Sequence, residues 1–470
     1  MHLGIDLGSG SIKLLLVDRE GREWESSASY PIASPEPGYA ETDTERWLEA
    51  FASCLKRLPD LAGLRSIGLC GQMHGIVPVS ISRGEAVYPC ITWADSRGRG
   101  YLPRLEGQKK LIAEAIRNRP AAGMAATTLL WLKEQRREIL STSDLVLFPK
   151  DFIRWELTGN LGTDRSDASG SLLYDFRSRS WSKELLSHLE IERSLLPPIA
   201  GSLELAGRVC PEAARRYGLP EGCPVAFGAG DTPAAMYGAD LLDPTVVQVS
   251  VGTAAQVGRA TPELPAYHEG LNLFEGVSEG VRYRIAAMLN GGLALEWMRR
   301  TLSLDWDELY RQVDAQSLSP SRELHFLPYL SGERTPYMNP EARGAWTGLA
   351  LNHTRLDIAL AALVGVAESV RLGLETLGTE GVEQVRLVGG SARYTYWARL
   401  LATVLSLPVS RCDAANGSAR GAARIGAAAV GEQLNFEESL SPVEPLELPW
   451  IEEHYRRFLE LYRRLHAPAL

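Results

Sequence analysis

The chain has 470 residues, 45% of them apolar and 23% charged, with a formal net charge of −9. That length exceeds what one hydrophobic core usually fills, so two domains of ordinary globular composition are expected. The acidic balance excludes a general nucleic-acid backbone binder, whose affinity would rest on clustered Lys and Arg.

The opening MHLGIDLG reaches a carboxylate after a few apolar positions, without a basic n-region or a long apolar run, so no secretory leader is expected. The longest apolar stretch, IALAALVGVA, ends at Glu368 and is too short to span a bilayer. A cytoplasmic protein without membrane or nucleic-acid partners is the expectation. Six cysteines, Cys54, Cys70, Cys90, Cys210, Cys223 and Cys412, lie far apart with no C-x-x-C pair, which predicts reduced thiols rather than disulfides or a zinc site.

In chain order, HLGIDLGSGSIKLLLVDREG reads as a hairpin: apolar runs flank a Gly/Ser turn. The turn begins like a dinucleotide-binding G-x-G-x-x-G, but Lys13 replaces the third glycine and a strand follows, so a nicotinamide site is disfavoured. TERWLEAFASCLKRL has helical spacing, and LRSIGLCG returns as a buried strand. PVAFGAG is a short strand, and DTPAAMYGAD a helix with Pro233 in its first turn and Asp231 or Thr232 near its cap.

PTVVQVSVGTAAQVGRA repeats the opening layout, so the chain restarts near residue 240. Two such units suggest a duplicated architecture with a cleft between halves. IALAALVGVAESVRLGLETL is a buried helix, and VEQVRLVGGSARYTYWARLLATVLSLPVSRC is strand, Gly-Gly-Ser turn, helix and strand. SARGAARIGAAAVG is a small-residue helix able to pack closely on a neighbour or a flat ligand, and IEEHYRRFLELYRRL is an amphipathic tail.

No P-loop is present. The first turn instead offers Asp6 at a strand end, followed by Gly8, Ser9, Gly10 and Ser11, whose N–H groups and hydroxyls suit a phosphate while Asp6 suits a hydrated Mg²⁺. The second turn, Gly252, Thr253 and Ala254, has the same composition. Gly389, Gly390 and Ser391 form a third turn, where an adenine or ribose could lie. Each turn alone is also consistent with a plain hairpin, and Asp231 alone with a helix cap.

Taken in order, GIDLGSGSIK, GQMHG, WADSR, FPKDFIRWELTG, SDASGS, GAGDTPAAMYGA, SVGTAA, FLPYLSGERTP, GAWTGL and LVGGSARYTYW resemble the FGGY carbohydrate kinases over nearly the whole chain, and among them the xylulokinases. The resemblance implies an α/β fold of two ribonuclease-H-like ATPase domains with an interdomain cleft. The expected boundaries are 1–240 for the sugar-binding domain, 241–435 for the ATP-binding domain and 436–470 for a helical tail on the body.

The resemblance implies that Asp231 is the base for phosphoryl transfer from ATP to a ketopentose C5 hydroxyl, with Asp6 on Mg²⁺ through water. It places the sugar at Met73, His74, Trp93, Asp95, Arg97 and Asp231. It places ATP at Gly8, Ser9, Gly10, Ser11, Lys13, Gly252, Thr253, Gly389, Gly390 and Ser391. Asp95 and Arg97 read equally as a structural ion pair, and Glu333 and Arg334 as braces between closed domains.

Three positions depart from the family pattern: Thr128 for Lys, Val364 for Glu and Ser391 for Gly. They leave sugar choice open, with a kinase for another ketose or polyol such as ribulose as one alternative and an actin-like nucleotide switch as another. A homodimer is left open as well.

Overall fold

The computed structural model describes residues 1–316, 320–412, 416–436 and 439–466. Two seven-stranded sheets organise it. The first contains β1 (His2–Leu7), β2 (Ser11–Val17), β3 (Glu23–Ser29), β4 (Ser66–Gly71), β5 (Leu205–Arg208), β6 (Pro224–Ala226) and β7 (Ala229–Gly230) in the order β5-β6-β4-β1-β2-β3, with β7 also on β4. The second contains β8 (Val246–Val251), β9 (Ala255–Thr261), β10 (Leu271–Glu275), β11 (Arg282–Met288), β12 (Gln384–Val388), β13 (Val409–Cys412) and β14 (Leu440–Pro442) in the order β10-β11-β9-β8-β12-β13-β14.

The repeat suspected from the sequence is explicit in the pairing. In the first sheet β1 runs antiparallel to β2 and parallel to β4, and β2 antiparallel to β3. In the second, β8 runs antiparallel to β9 and parallel to β12, and β9 antiparallel to β11. β4 is buried along its whole length, which suits its near-continuous run of small and apolar residues, while in β8 the partly exposed Gln248 and Ser250 alternate with buried valines.

Each sheet has its own core. Leu3, Ile5, Leu14, Trp47, Phe51 and Ile67 fill the first, and Val247, Val257, Leu363, Val366, Trp397 and Leu400 the second. Helix α1 (Thr44–Leu55) covers the first sheet and begins at Asp43, whose carboxylate accepts from the Glu45 N–H. Between β4 and β5 the chain adds a third core around Ile76, Leu130, Trp131, Phe148 and Trp181. This insertion carries α2 (Pro149–Thr158) and the short α3 (Arg165–Ser169).

After β7 comes α4 (Asp231–Gly238). The second half adds α5 (Gly292–Thr301), α6 (Trp306–Gln316), α7 (Arg355–Leu377), α8 (Thr395–Leu405), α9 (Gly417–Ala429) and α10 (Ile451–His466). The buried α7 opens with a reciprocal capping box between Thr354 and Asp357. Phe458 of α10 is fully buried, and Tyr462 stacks on Tyr337 with ring centroids 3.4 Å apart. Residues 317–319, 413–415, 437–438 and 467–470 of the expected second domain and tail lie outside the described residues.

Of the two partners the small residues of α9 allow, the structure shows a neighbouring surface. A Cβ on Gly68 of β4 would stand 2.6 Å from the Gly426 nitrogen, and one on Gly238 of α4 2.7 Å from the Gly421 nitrogen. Although α9 comes late in the chain, it lies on the first sheet and against α4. Cys54, Cys70, Cys90, Cys210 and Cys223 are free thiols. Among the described residues no helix is long and apolar enough to cross a membrane.

Candidate active site

The first sheet sets two carboxylates level. Asp6 of β1 is in register with Cys70 of β4, and Cys70 with Ala229 of β7, so β1, β4 and β7 end together. Asp231 follows β7 directly as the first residue of α4. Gly230, without a side chain, is the cap, and the Asp231 carboxylate accepts from Thr232 N at 2.6 Å and Thr232 Oγ1 at 3.3 Å. Gly230 thus holds the cap position, while the Asp231 carboxylate meets one of the free N–H groups of the helix start.

Burial raises the Asp231 pKa, the Asp6 charge raises it further, and the Thr232 hydrogen bonds oppose both, leaving it at about 6. Burial also raises Asp6, against the Cys70 thiol and the Lys13 charge. Cys70 sits between them with its thiol donating to Ser418 O at 3.3 Å, and burial followed by the two carboxylates keeps it protonated. A carboxylate near pH 6 is ionised at neutral pH yet more basic than an ordinary one, as a proton acceptor requires.

His74 and Met73 follow β4. The His74 ring lies 2.7 Å from Gly170 O through Nδ1, and a carbonyl only accepts, so Nδ1 carries the hydrogen and Nε2 the lone pair. Burial lowers the His74 pKa, the Gly170 bond opposes it, and the Arg334 charge lowers it further, so the ring is neutral at pH 7. Met73 packs beneath: a Cβ on Gly230 would stand 2.6 Å from Met73 Cγ. Phe274 of the second sheet lies 6.0 Å from the His74 ring, so this corner sits at the junction of the two halves.

Trp93 is half exposed, and its indole Nε1 donates to Ser9 Oγ at 2.7 Å, tying the WADSR loop to the first turn. Of the two readings left open for Asp95 and Arg97, the ion pair is present. The Arg97 guanidinium donates to both Asp95 oxygens, at 2.9 and 2.8 Å, and to Glu41 at 2.7 Å, while Asp95 also accepts from the N–H groups of Ala40 and Arg97. Both side chains are about 1% exposed. A carboxylate met by four donors ties this loop together.

In the first turn, Gly8 N donates to Ser11 O at 2.9 Å, the Tyr30 hydroxyl to Gly8 O, and Tyr30 N to Gly10 O at 3.0 Å. Lys13 stands apart from the turn: its Nζ donates to Asn416 at 2.6 Å and pairs with Glu25 at 3.5 Å. In the second turn, Gly252 O and Thr253 O accept from Gly292 N and Leu293 N at the start of α5. A Cβ on Gly291 would stand 2.8 Å from Ala254, which is why the hairpin needs glycine beside it.

Gly252 and Gly390 line one cavity of about 380 Å³ with Trp306, Tyr310 and Tyr394. Tyr310 stacks on Tyr394 at 4.1 Å and on Trp306 at 5.9 Å, and the Arg393 guanidinium lies over Tyr394 at 4.6 Å. Gly389 takes the left-handed φ of +89° that turns the chain into this cavity. The Ser391 side chain lies outside the described atoms.

Residues 1–238 match the model of the N-terminal domain of the FGGY family of carbohydrate kinases, and residues 247–430 that of its C-terminal domain. The chain belongs to the FGGY family of carbohydrate kinases. This FGGY kinase is 30% identical to a xylulose kinase of Escherichia coli K12, covering 100% of this chain and 99% of that one. It is 32% identical to a xylulose kinase of Lactococcus lactis over 91% and 88%. A solved xylulose kinase from Brucella ovis shares 30% identity and superposes with a TM-score of 0.93 over both full chains. A Plasmodium falciparum glycerol kinase with ADP, 18% identical over 100% and 98% of the two chains, shares the fold at a TM-score of 0.87.

The kinase therefore has the two-domain fold of the actin-like ATPases and uses ATP to phosphorylate a sugar, which retires the nucleotide-switch alternative. Its residues suit Mg²⁺. Asp6 and Asp231 repel each other, and the Cys70 thiol and the Lys13 charge partly offset the cost of burying Asp6. Mg²⁺ takes one or two carboxylates together with water and substrate phosphates, and among the described residues no cluster of three or more ligands forms a dedicated cage.

Other expectations resolve locally. Glu333 of the FGGY kinase accepts from Leu289 N, Asn290 and Arg334 N within the second half, rather than bracing one half against the other. Arg334 is exposed, with its charge felt at His74. Thr128 is buried in a helix, its hydroxyl 3.4 Å from Met124 O. Val364 is packed in the second core, and the buried carboxylate of α7 is Glu368, met by His454 of α10 at 2.7 Å.

Proposed function

We propose that this kinase transfers the γ-phosphoryl group of ATP to the C5 hydroxyl of D-xylulose, with Asp231 as general base and Mg²⁺ accompanying ATP. The observation that carries the reading is Asp231 at a helix N-terminus, with a pKa of about 6 and a second carboxylate level with it in the sheet. The xylulose kinase names of relatives aligned along nearly the whole chain support the sugar, as does the Met73–His74 pair.

The sugar hydroxyl gives its proton to an Asp231 oxygen as its own oxygen bonds to the γ-phosphorus. The bond from that phosphorus to the bridging oxygen breaks, and ADP leaves. The positive end of α4 favours charge building on the transferring group. The neutral His74 accepts a ketose hydroxyl at Nε2, and Trp93 walls the sugar beside the Ser9 turn. Gly8 to Ser11 and Gly252 to Thr253 supply N–H groups and hydroxyls to the phosphates, and adenosine occupies the aromatic cavity beside Gly390. Asp6 would hold Mg²⁺, which when bound would neutralise phosphate charge. Lys13 belongs to the phosphate side only if it exchanges Asn416 for ATP.

A panel of ketoses and polyols in a coupled ADP-release assay tests the reading. D-xylulose should give the highest kcat/KM, and a better substrate such as ribulose would overturn the assignment of the sugar.

A further inference from the structure

Directly behind Asp231, five charged side chains are removed from water. Lys150 of α2 places Nζ 2.7 Å from Asp151, 3.0 Å from Asp164 and 2.9 Å from Asp167, and Arg154 lies 3.3 Å from Asp151. All five are 0% exposed. Buried ion clusters are poor stabilisers, since apolar replacements of similar volume often serve as well or better. What this one does is hold α3 at two points, through its cap residue Asp164 and through Asp167.

From Asp164 a directed chain of hydrogen bonds reaches Gly230, the residue before the candidate base. One Asp164 oxygen faces Lys150, and the other accepts from Ser166 N at 2.8 Å, Ser166 Oγ at 2.6 Å and Ser202 Oγ at 2.7 Å. The Ser166 hydroxyl has thus committed its hydrogen, and its lone pair accepts from Gly230 N at 2.8 Å. Gly230 has no side chain with which to cap α4, and Met73 packs against its Cα. The Ser166 hydroxyl is a side-chain anchor for the peptide that leads into Gly230, one residue before Asp231.

We infer that Ser166 is a positioning residue for Asp231: oriented by Asp164 and the buried Lys150, its hydroxyl fixes the Gly230 N–H and with it the direction in which the Asp231 carboxylate meets the acceptor hydroxyl. The inference rests on the reading of Asp231 as proton acceptor. A displaced base loses transition-state contact more than ground-state binding, because Ser166 touches neither His74 nor the nucleotide cavity.

Steady-state kinetics of Ser166→Ala, Asp231→Asn and the double variant, each verified as folded by thermal melting, test it. Ser166→Ala should lower kcat roughly 10- to 100-fold while KM for sugar and for ATP stays within about twofold. In the Asp231→Asn background the same change should cost less than about twofold, because two residues acting through one group are not additive. If the alanine variant does not fold, Ser166→Cys keeps the volume, weakens the acceptor and should show the same split. A folded Ser166 variant with wild-type kcat, or equal losses in both backgrounds, overturns the inference while leaving Asp231 as the base. Near-normal turnover by Asp231→Asn overturns the base itself.

Discussion

Protonation of Asp231 should set the acid limb of the pH–rate profile. With a pKa of about 6, raised first by burial and then by Asp6, the ionised fraction is roughly nine-tenths at pH 7, half at pH 6 and one-tenth at pH 5. The kcat/KM for sugar should therefore fall about tenfold from pH 7 to pH 5, where a base of ordinary pKa would stay flat. Asp6→Asn removes the repelling charge and should move the limb to lower pH, whatever it does to the plateau. Asp231→Asn should lower kcat roughly 10²- to 10⁴-fold and abolish the limb.

Stability should move the opposite way. Since the folded pKa lies above the value near 4 of an unfolded chain, the folded state binds the proton more tightly, and the ionised carboxylate costs stability at neutral pH. The gap is worth on the order of 2–3 kcal/mol, a cost fully present above pH 6 and gone below about pH 4. Asp231→Asn should therefore melt higher than wild type at pH 7.5, with the difference shrinking as pH falls from 6 to 4. An acid limb that survives in Asp231→Asn, or an asparagine variant that melts lower at pH 7.5, would refute the reasoning.

Three further outcomes are expected. His74→Ala should raise KM for the sugar roughly tenfold through loss of one hydroxyl partner, with KM for ATP unchanged in the same assay. Tyr394→Ala should do the reverse, weakening ATP by roughly tenfold as a stacking face is lost, which calorimetric titration of ATP would measure. Lys150→Met leaves three buried aspartates facing one arginine and should cost about 3–5 kcal/mol, seen in thermal melts as a large drop in midpoint.

The hairpins were legible in the sequence because a small-residue turn between two apolar runs has few other solutions, and the strand-to-helix turn at Asp231 for the same reason. Asp95 and Arg97 were not, because two residues apart in a loop they can face a ligand or each other. The decision lay with Glu41, more than fifty positions earlier. The aromatic cavity escaped notice because Tyr310 and Tyr394 are far apart in the chain and meet only when α6 packs near α8. Lys150 and Asp151 look like an exposed charged pair at a helix start, and only the return of Asp164 and Asp167 removes them from water. In α9 the small residues announced close packing, while the identity of the surface came from glycines in β1, β4 and α4.

The position of α9 has a consequence for biosynthesis. Residues 417–429 complete the layer under the strands that carry Asp6 and Cys70 and flank the helix that begins at Asp231, so the first half of the chain leaves the ribosome lacking one wall of its own structure. Until that helix is made, the glycine-lined faces of β1, β4 and α4 lack their cover, and the newborn first half should aggregate more readily than the whole chain. Fragments ending before residue 417 should be insoluble when expressed alone, and adding residues 417–429 as a separate peptide should restore what chain order delays.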